Sequence, residues 1–225
     1  MLTVATGAGL RGILPDAVET EERYGPGPGG PLLPEEERVV ARAVESRRRE
    51  FATVRCCARS CLGRLGFEPV AVLPGPGGAP GWPVGVRGSM THCAGYAAAA
   101  LAPADRVAAI GIDAEPDTPL PAGVLEVIAT PSERCQVHDL GAVAGPSWDR
   151  LLFSVKESVF KAWFPLVGHW LEPQDTQVTL RQHGTFVARL PRGLVLAGTP
   201  TSCLEGRWTS VQGLLLTAVA VARPR

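Results

Sequence analysis

Leu151-Leu-Phe-Ser-Val-Lys-Glu-Ser-Val-Phe-Lys-Ala-Trp-Phe164 is the stretch from which the rest of the chain is best read. Leu151, Leu152, Val155, Val159 and Ala162 recur at helical spacing, so one face of this segment must be buried. Glu157 and Lys161 stand one helical turn apart and share a face. On a solvated surface they would form an ion pair worth a few tenths of a kcal/mol. Here Phe153 and Phe160 fall on nearly the same face, flanked by Trp163 and Phe164. An acid and a base among aromatics suit the wall of a cleft. The pattern predicts a helix from Trp148 to Phe164, ended by Pro165.

Upstream, Val107 to Glu115 is strongly apolar and closes on acids, which predicts a strand. Residues two apart on a strand share a face, so Asp113 and Glu115 project together, opposite Ile110 and Ile112. Two carboxylates on one face repel unless a cation sits between them, and oxygen ligands suit a hard ion such as Mg2+. Gly25-Pro-Gly-Pro-Gly-Gly-Pro31 and Pro74-Gly-Pro-Gly-Gly-Ala-Pro-Gly-Trp-Pro83 are loops. Between them a helix starting at Pro34 is expected to run towards Leu62, carrying Arg47, Arg48, Arg49 and Arg55. Arg47 and Arg55 share a face, and guanidinium groups clamp phosphate well. Thr91-His92 lies in Gly88-Ser-Met-Thr-His-Cys93, a short extended piece, and precedes an alanine-rich helix expected over Ala94 to Ala102. A hydroxyl and an imidazole at a helix start would make an anion-binding corner. A short helix is expected in Pro121 to Thr130, and Pro131-Ser132-Glu133 opens another. Farther on, 177–180, 185–189 and 214–219 alternate like strands joined by turns. Helices mixed with hairpins argue for an α+β fold.

The chain has 225 residues, a length suited to one or two domains and a sizeable core. Its 22 basic and 22 acidic residues cancel, which removes the global positive field that nucleic acid or an anionic membrane would attract. Lys156 and Lys161 are the two lysines; every other basic residue is arginine. The 6 cysteines include no CxxC pair and no paired histidine spacing, so they read as small thiols rather than a zinc site. Cys57 and Cys61 fall on one helix face. Met1 to Leu14 lacks a basic segment followed by a long apolar run, and no apolar stretch reaches membrane-spanning length, so a cytoplasmic protein is expected.

Each signal is weak alone: solvated acids, a surface ion pair, a structural histidine and a charged helix face would account for them singly. Together they supply cations, three carboxylates and no obvious nucleophile. That combination predicts Mg2+-dependent chemistry on a phosphorylated ligand, with the nucleophile arriving on another molecule. The order of the motifs resembles the Sfp-type 4'-phosphopantetheinyl transferases, in the branch of the enterobactin-synthase component D enzymes and actinobacterial relatives. Four pieces carry the resemblance: 48–59 (Arg-Arg-Glu-Phe-Ala-Thr-Val-Arg-Cys-Cys-Ala-Arg), 82–93 (Trp-Pro-Val-Gly-Val-Arg-Gly-Ser-Met-Thr-His-Cys), Gly111-Ile-Asp-Ala-Glu115, and 153–166, the most specific.

The resemblance implies two similar α/β halves, 1–106 and 107–225, packed with pseudo-two-fold symmetry around a cleft that holds coenzyme A and Mg2+ or Mn2+. It implies transfer of phosphopantetheine to a serine of an acyl or peptidyl carrier protein of peptide, polyketide or fatty-acid synthesis, releasing adenosine 3',5'-bisphosphate. By motif match, Asp113, Glu115 and Glu157 become metal ligands. Lys161, Lys156, Thr91 and His92 become phosphate contacts, and Arg47 and Arg55 clamp the 3'-phosphate or adenine end. Glu157 is the expected base, with Lys161, Asp113 and His92 completing the catalytic set. Phe153, Phe160 and Trp170 are candidate walls for the pantetheine arm or the carrier. Shorter holo-acyl-carrier-protein synthases are half-units that trimerise; this chain is about twice as long, so a monomer is expected. Two departures stand out. The loop from Pro74 to Gly81 lacks the basic residue of many relatives, for which Arg87 could compensate, and Phe160 stands where relatives often have tyrosine. Rival readings are a Mg2+-dependent hydrolase of coenzyme A or a nucleotide, a nucleic-acid-binding module opposed by the zero net charge, and an inactive relative opposed by the full acidic set.

Overall fold

In the computed structural model, which describes residues 9–25, 29–196 and 199–223, helix α1 (Leu10–Ile13) leads into strand β1 (Glu19–Tyr24), and helices α2 (Pro34–Val39) and α3 (Glu45–Arg64) follow. Next come β2 (Val86–Cys93), β3 (Tyr96–Pro103) and β4 (Val107–Pro116), then α4 (Val124–Ile128), α5 (Pro131–Gly141) and α6 (Trp148–Val167). Strands β5 (Gln177–Arg181), β6 (Thr185–Leu196), β7 (Thr199–Val211) and β8 (Leu214–Ala222) complete the chain. The strands form two antiparallel sheets, β1-β3-β2 and β4-β8-β7-β6-β5. This is the expected α+β mixture. Among the described residues, no helix is long and apolar enough to cross a membrane.

Four local expectations need correction. The alanine run is not a helix but β3, paired on both edges by β1 and β2. It packs between two cores: Ala98, Ala100 and Ala102 meet Ile110 and Ile112, while Ala99 and Leu101 meet Cys57, Cys61 and Leu62 of α3. Burial on both faces demands small side chains, and this overrides the helical preference of alanine. Thr91 and His92 accordingly lie on a strand, not at a helix start. The helix expected from Pro34 to Leu62 is broken between Val39 and Glu45, leaving α2 and α3. Pro165 does not end α6, which continues to Val167 and stops at Gly168 (φ 72°). Residues in a last helical turn can lose one backbone bond without ending the helix. Strands β1 and β7 had no apolar alternation to announce them.

Glu36, at the start of α2, is fully buried. It accepts the Leu33 N–H (3.1 Å) and Val72 N–H (2.9 Å) and pairs with Arg59 Nη1 of α3 (2.7 Å). One carboxylate thus ties α2, α3 and the chain leading to β2. Cys57 and Cys61 lie on one face of α3, as expected, and donate to Ala97 O and Ala99 O of β3. Burial pushes both thiols up to about 12, which keeps them protonated and inert.

Two contacts place the helices and strands that matter for function. At Gly111 of β4, α6 lies directly on the backbone: a methyl group there would collide with Ser158 O and stand 2.7 Å from Ala162 N. Beside it, β2 meets the outer edge of β4 without a backbone ladder. Ser89 Oγ accepts the Ile112 N–H (3.1 Å) and Thr91 Oγ1 accepts the Ala114 N–H (3.2 Å). Two hydroxyls replace the carbonyls of a missing neighbour strand and join the sheets. Gly111→Ala is expected to destabilise the chain by about 3 kcal/mol, the upper range for overpacking, read as a lower urea midpoint with an unchanged slope.

Candidate active site

A cleft of about 580 Å3 opens between α3, β2 and α6 under the loop after Pro74. Arg47, Phe51 and Arg55 of α3 line one wall, and Glu157, Phe160, Lys161 and Phe164 of α6 line the other. Arg87, Ser89, Met90 and His92 of β2 form the floor. The loop is pinned to α6 at Gly77 (φ 62°), where any side chain would enter the Phe164 ring. Phe160 packs against Phe164 and the exposed Trp170, with ring centroids 5.6 and 4.6 Å apart. Phe153, expected at the same wall, instead packs against the core behind α6.

The arginine end of the cleft is cationic. Arg55 lies over the Phe51 ring at 3.4 Å and donates from Nε to Val72 O (3.2 Å). Burial lowers its pKa to about 10; Glu36 opposes this, and Arg47 and Arg59 reinforce it. It remains a guanidinium at neutral pH, but one whose charge an incoming anion would relieve. Arg47 Nη1 donates to His92 Nε2 (2.7 Å) and lies 3.4 Å from Glu50 Oε2. Burial, then the Arg47 charge, hold His92 below its ordinary pKa, against the pull of Glu50. Nε2 also lies 3.3 Å from Glu50 Oε2; a ring that accepts from Arg47 at Nε2 keeps its Nδ1–H as donor. Arg87, unplaced by sequence, lines the same cleft, and among the described residues its guanidinium has only the Val86 carbonyl as partner (3.1 Å).

Of the three carboxylates, Glu157 lines the cleft, and Lys161 of the same lining reaches Asp113 on β4. Asp113 is buried and accepts from Lys161 Nζ (2.7 Å) and Thr91 Oγ1 (3.2 Å) at Oδ1, and from Ser154 Oγ (2.8 Å) at Oδ2. Glu115 pairs with Arg150 Nη1 (2.9 Å). Burial, and next the charge of Asp113, raise the Glu115 carboxyl above its usual range. Glu157 has no hydrogen-bond or ion-pair partner among the described residues, although it faces the cleft. Burial raises it as well; Lys161 offsets part of this, and Asp113 and Glu115 add to it. The three acids thus feel one another. They are not a ready-made cluster, however: among the described residues, no three His, Cys, Asp or Glu side chains stand together as metal ligands. Lys161 pairs with Asp113 and Arg150 with Glu115. The donor set is nonetheless all hard oxygen, and its mutual repulsion is of the kind a divalent cation relieves.

Two expected phosphate contacts are otherwise occupied. Lys156 is buried, and its three protons meet Glu133 Oε1 (2.9 Å), Pro173 O (2.7 Å) and Thr176 O (2.8 Å). Glu133 in turn accepts the Thr130 N–H (2.7 Å) and Val178 N–H (2.6 Å). This repeats the Glu36–Arg59 lock, with the same 23-residue spacing between acid and base. Lys156 has no proton left for a phosphate; its work is to fix α6. Thr91 spends its one proton on Asp113 and accepts from Ala114. The sequence reading also passed over Arg150, Ser154 and Thr217. A serine on the buried face of an otherwise apolar helix was the available signal for Ser154.

Residues 35–102 match the family model of the 4'-phosphopantetheinyl transferase N-terminal domain, and residues 109–217 match that of the 4'-phosphopantetheinyl transferase superfamily. The chain is 50% identical over 221 residues to 4'-phosphopantetheinyl transferase Svp of Streptomyces mobaraensis, covering 96% of this chain and 90% of that one. It is 46% identical over 206 residues to 4'-phosphopantetheinyl transferase PptT of Mycobacterium tuberculosis, covering 89% and 90%. To 4'-phosphopantetheinyl transferase Npt of Nocardia iowensis it is 42% identical over 220 residues, covering 93% and 98%.

Lys156→Met should cost about 3–5 kcal/mol of stability, because it strands the buried Glu133 charge, and should leave ligand affinity at the cleft little changed; denaturant melts and ligand titration separate the two. Glu157→Gln should do the opposite. A carboxyl raised in the fold stabilises most below its unfolded pKa and loses that contribution as pH rises through the folded value. Removing its charge should therefore raise the melting temperature at pH 7.5, with a gain that vanishes as pH falls towards the ordinary value of 4.5.

Proposed function

The chain belongs to the 4'-phosphopantetheinyl transferase superfamily, and on that premise we propose that its cleft binds coenzyme A and carries out the transfer. The protein is a 4'-phosphopantetheinyl transferase, moving phosphopantetheine from coenzyme A to a carrier protein. The observation that carries the site assignment is the charge gathered in one cleft: guanidinium groups on α3 and β2, and an unpaired carboxylate and an ammonium on α6. A ligand with several phosphates and a long neutral arm matches that set of groups and the aromatic side chains beside it. Arg47, Arg55 and Arg87 take the 3'-phosphate and adenine end, with Arg87 supplying the charge that the Pro74–Gly81 loop lacks. The Nδ1–H of His92 and the ammonium of Lys161 meet the pyrophosphate. Phe160, Phe164 and Trp170 form the wall for the pantetheine arm.

Asp113, Glu115 and Glu157 would hold Mg2+ or Mn2+, which when bound neutralises charge developing on the leaving phosphate. The carrier serine hydroxyl attacks the β-phosphorus; a Ser Oγ–P bond forms as the bridging P–O bond breaks. Glu157 accepts the serine proton. An unpaired carboxylate made more basic by burial is suited to this, since a base works best with its pKa near the operating pH. Adenosine 3',5'-bisphosphate departs with its new charge stabilised by Lys161.

The recurring acid–base lock supports a reading as two similar halves with pseudo-two-fold symmetry, divided between 106 and 107, where the two family matches also part. A cleft complete within one chain supports a monomer. The six free thiols fit a reducing, cytoplasmic setting.

Incubation with coenzyme A, Mg2+ and a panel of apo peptidyl, polyketide and fatty-acid carriers should add one phosphopantetheine mass to at least one of them; no gain in any would sink the assignment. Arg87→Ala should raise the KM for coenzyme A by about ten- to a hundredfold with kcat little changed, as loss of a charged hydrogen bond worth about 1.5–3 kcal/mol implies. Lys161→Arg keeps the charge but should lower kcat, because a planar fork cannot replace a compact ammonium.

A further inference from the structure

Behind Asp113 lies a pair of hydroxyls to which the reaction so far gives no part. Ser154 of α6 and Thr217 of β8 are both fully buried. Thr217 stands directly across the β4–β8 ladder from Asp113. Ser154 Oγ donates to Asp113 Oδ2 (2.8 Å), and the two hydroxyl oxygens are 3.0 Å apart. Thr217 Oγ1 also lies 3.0 Å from Ser154 O.

Proton accounting sets the direction. An ionised carboxylate only accepts, so the single Ser154 proton goes to Asp113. Ser154 Oγ is then an acceptor, and the Thr217 proton is shared between that oxygen and the Ser154 carbonyl. The bonds run one way, from Thr217 to Ser154 to Asp113. They end on Oδ2, while Oδ1 accepts from Lys161 and Thr91. Ser154 also lies on the α6 face that carries Glu157 and Lys161, three and seven residues further along.

We propose that Ser154 and Thr217 are positioning residues: they anchor Asp113 by Oδ2, so that Oδ1 is presented to the cation and phosphate of the transfer reaction. This rests on the assignment of Asp113 to that reaction. Buried hydroxyls of this kind carry a cost unless each is satisfied, and a valine would fill the space of Thr217 equally well. Their chemistry is therefore directed at the carboxylate rather than at packing. Partners behind a ligating carboxylate set its orientation and hence the affinity of the site.

The test compares Thr217→Val, which removes the hydroxyl at nearly constant volume, with Thr217→Ser, which keeps it. Mn2+ binding is measured by electron paramagnetic resonance without coenzyme A, and kcat and KM are measured on an apo carrier. Thr217→Val should weaken Mn2+ binding and lower kcat by about tenfold or more, the usual effect of losing such a partner, with the KM for coenzyme A unchanged and Thr217→Ser close to the parent. Ser154→Ala should repeat the pattern from the other hydroxyl, and it carries the comparison if Thr217→Val does not fold. Parent-like binding and turnover in Thr217→Val would overturn the proposal, as would equal losses in Thr217→Val and Thr217→Ser, which would mark a packing role. If the parent binds no Mn2+ yet the kcat pattern holds, the metal assignment falls and the positioning role stands.

Discussion

The missing side chain at Gly111 sets the geometry of the whole cleft. Because β4 carries nothing but backbone there, α6 can lie on it, with Ser158 O and Ala162 N in the space where a methyl group would be. That approach lets Lys161 reach both Ile112 O (3.2 Å) and Asp113, and it sets Ser154 beneath the same carboxylate. Were the helix an ångström higher, the ammonium would lose its carbonyl and Asp113 its inner anchor. A glycine that looks like a gap in an apolar strand is thus the condition for the contacts that α6 makes with Asp113.

Charge in this protein is divided between two tasks that the linear sequence does not separate. In Glu36–Arg59 and Glu133–Lys156 the acids and Lys156 are buried and Arg59 is half-buried. Each ties a short proline-initiated helix to a long one and to the N–H of a following segment. Such pairs contribute little net stability over a hydrophobic replacement, but they penalise any other arrangement severely. The second task belongs to Arg47, Arg55, Arg87, Glu157 and Lys161, whose charges lie at the cleft. Glu157 and Arg55 are held in ionisation states that burial disfavours. A site kept in this electrostatic debt gains most when a ligand of matching charge arrives.

What was legible in the sequence followed from periodicity. Helical spacing put Glu157 and Lys161 on one face of α6, strand geometry put Asp113 and Glu115 on one face of β4, and the spacing of Arg47 and Arg55 put both on one face of α3; that these faces meet was implied by the family resemblance. What was not legible depended on contacts distant in sequence. The alanines of β3 read as helical because nothing local says that cores press on both their faces; the Ala94-Gly95 turn, with Gly95 at φ 75°, was the hairpin signal available. Thr91 was expected to meet phosphate because its neighbour β4 is not adjacent in sequence. Lys156 shares α6 with Lys161, and only the position of Glu133, Pro173 and Thr176 shows that it faces elsewhere.

The joint between β2 and β4 has a consequence of another kind. A backbone ladder is indifferent to sequence: almost any residue supplies the same N–H and C=O, so point mutation can hardly alter it. The seam here is written in the hydroxyls of Ser89 and Thr91. It is therefore heritable in detail, and a lineage can tighten, loosen or tilt the junction one oxygen at a time without rebuilding either sheet. Because Thr91 also touches Asp113, any such adjustment is transmitted to that carboxylate, so drift in the scaffold and, on the proposed reaction, tuning of the chemistry pass through the same atom.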